Sequence, residues 1–226
     1  RRRADATQCG RGSNHDIRLM TGGPNVPYVT RDSARATLPA LSRDRIESTL
    51  RERSGTGEND IAGRPAAVLV PFCMDGDDLS VLFIRRSQNL RNHPGQMAFP
   101  GGRVDAEDKD LSATAVRETV EEIGVIESEI EVWGTLDPLL TISEFALSPF
   151  TGWLSRSNDL KLSEREVSEV VTVPVSRLMD GSCDRDETRM DESGYVIRPT
   201  YAYNGRVIWG STGMIVSQLI DCLRKA

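Results

Sequence analysis

Apolar and polar positions fall into short patterned blocks separated by glycine, proline and acidic turns. Through residue 38 the chain is rich in Gly, Arg, Asp, Asn and Ser and has no sustained apolar period, so residues 1–38 are expected to be a flexible tail, with 39–226 as one domain. The spacing of Ile46 and Leu50 predicts a helix over 41–53, ended by Ser54-Gly55-Thr56-Gly57, as an accessory packing or dimer element. Residues 66–72 and 79–84 read as strands, joined by a turn carrying Asp75-Gly76. Residues 85–102 then read as a long loop. A helix follows, with Asp110 or Ser112 as its N-cap and Gly124 as its stop. Val116, Val120 and Ile123 predict its buried stripe, and Glu118, Glu121 and Glu122 gather on the opposite side. Strands are predicted over 130–140 and 146–154, the second interrupted at Pro149-Phe150. An acidic turn then leads into a strand, and Pro174 opens a short helix. Residues 180–194 read as a loop or hairpin tip, and strands over 195–203 and 206–209 join at Asn204-Gly205. A last helix carries Ile215, Leu219 and Leu223 on its apolar stripe. Strands interleaved with helices in this order predict an α/β fold.

Composition changes this picture little. A chain of 226 residues can bury a sizeable core. Its net charge of -6 argues against a nucleic-acid partner, which wants a basic face. No apolar run approaches the length of a membrane span, so no membrane partner is expected. Cys9, Cys73, Cys183 and Cys222 are scattered without metal-ligand spacing, as buried thiols of a reducing compartment are. The Arg1-Arg2-Arg3 start has no apolar run behind it, and the expected location is cytoplasmic.

The acidic helix carries the chemistry. Like charges at i,i+4 repel by a few tenths of a kcal/mol, roughly, and a hard divalent ion with oxygen ligands would relieve them. Glu118 and Glu122 could clamp one such ion and Glu121 a second, with the carbonyl of Gly101 or Gly102 completing the shell. Arg117 reaches Glu121 at i+4. Upstream, a loop carrying Arg86, Arg91, His93 and Gln96 is suited to anionic groups of a ligand.

Arg117-Glu118-x-x-Glu121-Glu122-x-Gly124, preceded by Phe99-Pro100-Gly101-Gly102, resembles the Nudix box. Lys109 stands where the general pattern has a Glu, and the gap between Gly102 and Arg117 is one residue longer. One extra loop residue puts Asp108 in that place, a spacing similar to the coenzyme A diphosphatase branch. Arg86, Ser87, Arg91, Gly95 and the run from Phe99 to Gly102 also resemble that branch's signature, as does Trp209-Gly210-x-Thr212 before the last helix. The resemblance covers residues 64–224 and is most specific over 82–125. It implies a Nudix fold, a mixed β-sheet sandwiched between α-helices. It implies Mg²⁺- or Mn²⁺-dependent cleavage of coenzyme A or its thioesters to 3′,5′-ADP and 4′-phosphopantetheine or its acyl derivative. The implied metal ligands are Glu118, Glu121, Glu122 and Gly102, with Arg117 orienting the carboxylates. Glu166, ahead of Glu164 and Glu169, is the expected carboxylate for activating water. Arg86, Ser87, Arg91, Gly95, Gln96 and Phe99 are the expected substrate contacts, with the arginines at 86 and 91 gripping the 3′-phosphate. Alternatives are a Nudix enzyme acting on ADP-ribose, NADH or another nucleoside diphosphate derivative, a non-catalytic Nudix-like sensor, and an acidic interaction module without a site.

Overall fold

Ser42 starts the first helix, α1 (Arg43–Glu52), by accepting the Arg45 N–H on its hydroxyl. The computed structural model describes residues 41–53, 61–155, 160–191 and 194–225. The tail over 1–38, with Cys9, and the Ser54–Gly57 stop lie outside the described residues. Of the two roles expected for α1, its apolar stripe serves packing: Ile46 and Leu50 are buried in the chain's own core.

β1 (Arg64–Asp75) is buried without a break from Ala66 to Cys73, as a strand covered on both faces must be. It turns through Gly76, at φ 59°, into β2 (Asp78–Arg86), with Asp75 paired to Asp78. The stretch expected to be one loop contains two short strands. β3 (Met97–Ala98) pairs with β2, and β4 (Gly101–Arg103) pairs with β1. After α2 (Leu111–Ile123) the predicted 130–140 strand is split into β5 (Ile130–Thr135) and β6 (Leu139–Leu140). Both pair with β7 (Phe145–Leu154), which runs parallel to β1 from Arg64↔Phe145 to Phe72↔Trp153. Pro149 does not interrupt β7. It stands between the Thr135↔Phe150 and Leu139↔Leu147 pairs, where the antiparallel partner is itself broken and a missing N–H costs least.

β8 (Val167–Pro174) completes an eight-stranded mixed sheet by pairing with β2, and Pro174 caps α3 (Val175–Met179). β9 (Glu187–Asp191) and β10 (Gly194–Arg198) form a hairpin. The predicted 195–203 strand ends at Arg198, and β11 (Tyr201–Tyr203) resumes to pair with β12 (Arg206–Ile208). Asn204 and Gly205 both have positive φ, as their turn requires. α4 (Gly210–Leu223) closes the chain with Ile215, Leu219 and Leu223 buried. None of the helices described is long and apolar enough to cross a membrane.

Strand alternation sorts the core into two layers. Ala67, Leu69, Leu82 and Ile84 face α2, meeting Ala115 and Ile123. Val68, Val70, Phe72, Val81 and Phe83 face the other way, onto Ile46 and Leu50 of α1, Leu178 of α3, and Ile215 and Leu219 of α4. Each fully buried side chain of this size contributes roughly 1.5–3 kcal/mol. The buried stripe of α2 matches the expected one at Ile123, which is fully buried, and in part at Val120, which packs against the same core, but otherwise differs. Thr114, Ala115, Thr119, Glu122 and Ile123 are buried, while Val116 and Val120 are half-exposed. Small residues win the inward face because α2 lies close against Ala67 and the glycine strand β4.

Candidate active site

The site begins with two glycines. Gly101 has φ 154°, and a Cβ there would run into the Ala67 carbonyl oxygen. A Cβ on Gly102 would overlap the Glu118 carboxylate. Only bare backbone lets β4 pair with β1 and still leave room for the acids of α2. The Gly101 N–H donates to Glu122 Oε2 at 3.0 Å, which ties the loop before the helix to its last turn.

α2 delivers those acids in fixed order. Asp110 caps its N-terminus by accepting the Ala113 N–H at 2.8 Å, and Gly124, at φ 73°, ends it. The chain beyond folds back over that end, with the Lys161 N–H on the Ile123 carbonyl and the Ser163 N–H on the Glu122 carbonyl. This return brings Glu166 to the site, where the Ser87 N–H donates to its carbonyl at 2.7 Å.

Glu122 is 3 % exposed, and burial pushes its carboxyl up to about 8. The Gly101 N–H and the charge of Arg86 work against that rise, while the charges of Glu118 and Glu166 add to it. Burial likewise raises Glu118, opposed by its hydrogen bond to Arg117. Glu121 differs: its side chain is exposed and meets Arg117 at 3.3 Å. Among the described residues no three of His, Cys, Asp and Glu already stand together as a ligand set. Glu118 and Glu122, at i,i+4 beside bare Gly102, offer only oxygen donors, the chemistry that Mg²⁺ or Mn²⁺ takes. A cation there would also add to the counter-charge that Arg86 gives the desolvated Glu122. The residues fit such an ion.

Arg117 organises the other side. Its main partner is Asp108 rather than the expected Glu121. Nε donates to Asp108 Oδ1 at 2.9 Å and Nη2 to Oδ2 at 3.0 Å, a paired fork. Nη1 reaches Glu118 at 3.0 Å, and Nη2 also donates to the Arg103 carbonyl at 3.0 Å. Asp108 Oδ2 further accepts from the Asp105 N–H and the Thr114 hydroxyl, each at 2.8 Å. These hydrogen bonds, led by the fork from Arg117, hold the Asp108 carboxyl well below the usual carboxylate range and raise the Arg117 guanidinium above its own.

The residues expected to meet substrate separate into groups. Arg86 is half-buried on the α2 face of β2. Its Nε is buried and has no hydrogen-bond partner, and its charge is felt at Glu122. Its backbone is clamped, the N–H on the Gln96 carbonyl at 2.9 Å and the carbonyl under the Gly95 N–H at 3.1 Å. Arg91 is exposed on the loop. Gly95, at φ 68°, and Gln96 line a hollow of about 400 Å³ with Arg85, Arg206 and Trp209, on the other face of the sheet from Arg86.

Two expectations need correcting. Phe99 is 3 % exposed and stacks on Phe83, with centroids 4.7 Å apart, so its ring belongs to the core. Ser87 is 4 % exposed, and its hydroxyl accepts the Asn89 N–H at 3.4 Å, shaping the turn. Glu169 is also withdrawn from the site by ion pairs with Arg206 and Arg85. Sequence reasoning missed a cluster at the edge of β4, where the guanidiniums of Arg64 and Arg103 lie 4.2 Å and 5.1 Å from the centre of the Phe145 ring. Arg103 directly after Gly102 was a visible signal. Its meeting with Phe145 depends on a long-range strand pairing and was not.

A family model for the NUDIX domain matches residues 63–192, more than half of the chain. The uncharacterized Nudix hydrolase NudL of Photorhabdus laumondii is 36% identical over 158 residues, 69% of this chain and 83% of that one. Nudix hydrolase 3 of Caenorhabditis elegans is 32% identical over 180 residues, 72% of this chain and 74% of that one. Among solved structures, a MutT/nudix family protein from Enterococcus faecalis aligns with 82% of this chain and 75% of its own, at a TM-score of 0.46 and 15% identity.

Proposed function

The chain belongs to the Nudix hydrolase family, and from that premise we propose that it cleaves the diphosphate bond of coenzyme A or its thioesters, giving 3′,5′-ADP and 4′-phosphopantetheine or its acyl derivative. Nudix hydrolases generally use divalent ions such as Mg²⁺ or Mn²⁺. In this reading Glu118 and Glu122 hold the ion, with Glu121 and the Gly102 carbonyl available to a second. The observation that carries the reading is the convergence of the 86–102 segment on the acidic helix. Gly101 donates to Glu122, and the charge of Arg86 is felt at the same carboxylate. That segment holds the residues resembling the coenzyme A branch.

A bound divalent ion supplies charge neutralisation at the diphosphate. The chain supplies the rest. In this reading the half-buried Arg86 guanidinium binds a diphosphate oxygen, at the bond being cut rather than at the 3′-phosphate. The Glu166 carboxylate, exposed at the mouth of the site, takes a proton from the attacking water. The water oxygen forms a new bond to one phosphorus, the bridging P–O bond breaks, and the bridging oxygen leaves on the other phosphate. Arg117, locked by Asp108, holds Glu118 in place throughout. We place the reaction in the cytoplasm, with the buried thiols Cys183 and Cys222 as support.

The test is product analysis after incubation with coenzyme A, acetyl-coenzyme A, ADP-ribose and NADH, each with Mg²⁺, with Mn²⁺ and with a chelator. Metal-dependent 3′,5′-ADP from the coenzyme A compounds is expected. Cleavage of ADP-ribose or NADH alone would overturn the substrate, and no cleavage at all would favour a sensor.

A further inference from the structure

We propose that Arg64 and Arg103, gathered on the ring of Phe145, form the subsite for a phosphate monoester on the substrate's ribose, separate from the diphosphate that is cut. The inference rests on the coenzyme A reading above, since that substrate carries such a group at the 3′ position.

The placement follows from register. Arg64 pairs with Phe145 across β1 and β7, and Arg103 pairs with Ala66 across β4 and β1. Residues 64 and 66 lie on one face of β1, so both arginines and the ring share that face. Gly102, one residue earlier, turns to the opposite face, where its missing side chain makes room for Glu118. Arg103 therefore follows the residue that lies against Glu118, with its side chain on the opposite face of the strand from the carboxylates. In this proposal the ribose phosphate reaches the cluster around the edge of β4 while the diphosphate lies on the Glu118 side.

The cluster is built rather than incidental. Arg64 Nη2 donates to the Ser143 carbonyl at 2.8 Å, and the Arg64 N–H donates to the Glu144 carbonyl at 2.9 Å. Arg103 is fixed through its own carbonyl, which accepts from Arg117. Among the described residues neither guanidinium has a carboxylate partner within ion-pair distance, in a chain whose net charge is -6. Two like charges held on one ring call for a dianion. A phosphate monoester carries close to two negative charges near pH 7 and presents three acceptor oxygens to two planar forks. A carboxylate carries one charge and a neutral base none.

The experiment is calorimetric titration of the full chain, free of metal, with 5′-AMP, 3′,5′-ADP and 2′,5′-ADP. The wild type should bind 3′,5′-ADP about tenfold or more tightly than 5′-AMP, the effect of one charge-assisted contact or more. Arg103→Gln and Arg64→Gln, at exposed positions, should each remove most of that preference, and Phe145→Leu should weaken it by unmooring both side chains. A wild type with no preference for the bisphosphates, or a preference that survives Arg103→Gln and falls with Arg91→Gln, would overturn the subsite. A stronger preference for 2′,5′-ADP would keep the monoester but move it to the neighbouring hydroxyl. Failure to cleave coenzyme A with the arginine-dependent preference intact would sink the substrate reading alone. Cleavage without the preference would sink only the subsite.

Discussion

Asp108→Asn isolates the contribution of the ion pair behind the carboxylates. The native Asp108 side chain is 4 % exposed and accepts four hydrogen bonds, from Arg117 Nε, Arg117 Nη2, the Asp105 N–H and the Thr114 hydroxyl. Asparagine keeps one acceptor oxygen and places an NH₂ where the other was, so at least one donor faces a donor. Removing one partner of a fully buried pair costs about 3–5 kcal/mol. Arg117 is 28 % exposed, so water recovers part of this, and a loss of about 2–4 kcal/mol is expected. For a domain of this size that lowers the melting temperature by roughly 5–15 °C. Turnover should fall about 10–100-fold, because Arg117 no longer fixes Glu118.

The pH dependence separates this loss from general damage. Hydrogen bonds from Arg117 hold the Asp108 carboxyl below its ordinary range in the folded protein. A carboxyl depressed by folding adds stability that is complete above its unfolded value, about 3.9, and is lost as pH falls toward the folded value. Urea midpoints of wild type and variant should therefore differ by a constant amount from pH 5 to 8 and converge below about pH 4. A variant as stable as wild type at pH 7, or a gap that persists undiminished into strong acid, would refute the assigned role.

Other substitutions divide stability from catalysis in different ways. Glu122→Gln should abolish metal-dependent turnover while leaving the metal-free protein at least as stable as wild type at pH 8. A carboxyl that titrates higher when folded costs stability above its ordinary range, so a melting temperature several degrees lower would contradict the burial argument. Gly102→Ala should stay folded and lose activity, since its methyl displaces a side chain. Gly101→Ala should lose stability as well, by about 1–3 kcal/mol, because its methyl meets backbone at a φ that alanine avoids; equal melting curves for the two would refute the distinction. Phe99→Ala should cost about 3–5 kcal/mol in urea unfolding, as a core ring does, and a near-neutral result would return Phe99 to the substrate surface.

The parts of the fold that were legible in the sequence are those where one local signal suffices. Asp110 and Gly124 cap α2, Asn204-Gly205 makes its turn, and Ile46 with Leu50 marks α1 as half-buried. Strands β3, β4 and β6, two or three residues each, carry no period of their own and exist because a long neighbour supplies the hydrogen bonds. Pro149 read as a break because its cost depends on whether an antiparallel partner stands opposite, which the chain settles far away at Thr135 and Leu139. At the site, the arginine expected to pair with Glu121 pairs first with Asp108, the residue that the box spacing had already singled out.

The partly misread stripe of α2, right at Ile123 but not at Val116, is the informative case. Hydrophobicity placed Val116 and Val120 inside and the acids outside, as the two-faced helix of a water-exposed surface would have them. Packing reverses part of this. Thr114, Ala115 and Thr119 take the buried face, with Ala115 packed on Ala67 and Leu69 of β1, and Glu122 shares burial with them while Glu118 lies against bare Gly102. Burying that carboxylate is unfavourable in isolation, which is why no hydrophobic period anticipates it. The Gly101 N–H and the charge of Arg86 offset part of that cost, and the neighbouring Glu118 adds the second carboxylate that a cation would bridge. The same two glycines that allow the strand pairing thus leave room for Glu118 and a donor for Glu122, and the departure from the expected stripe occurs where the chemistry is.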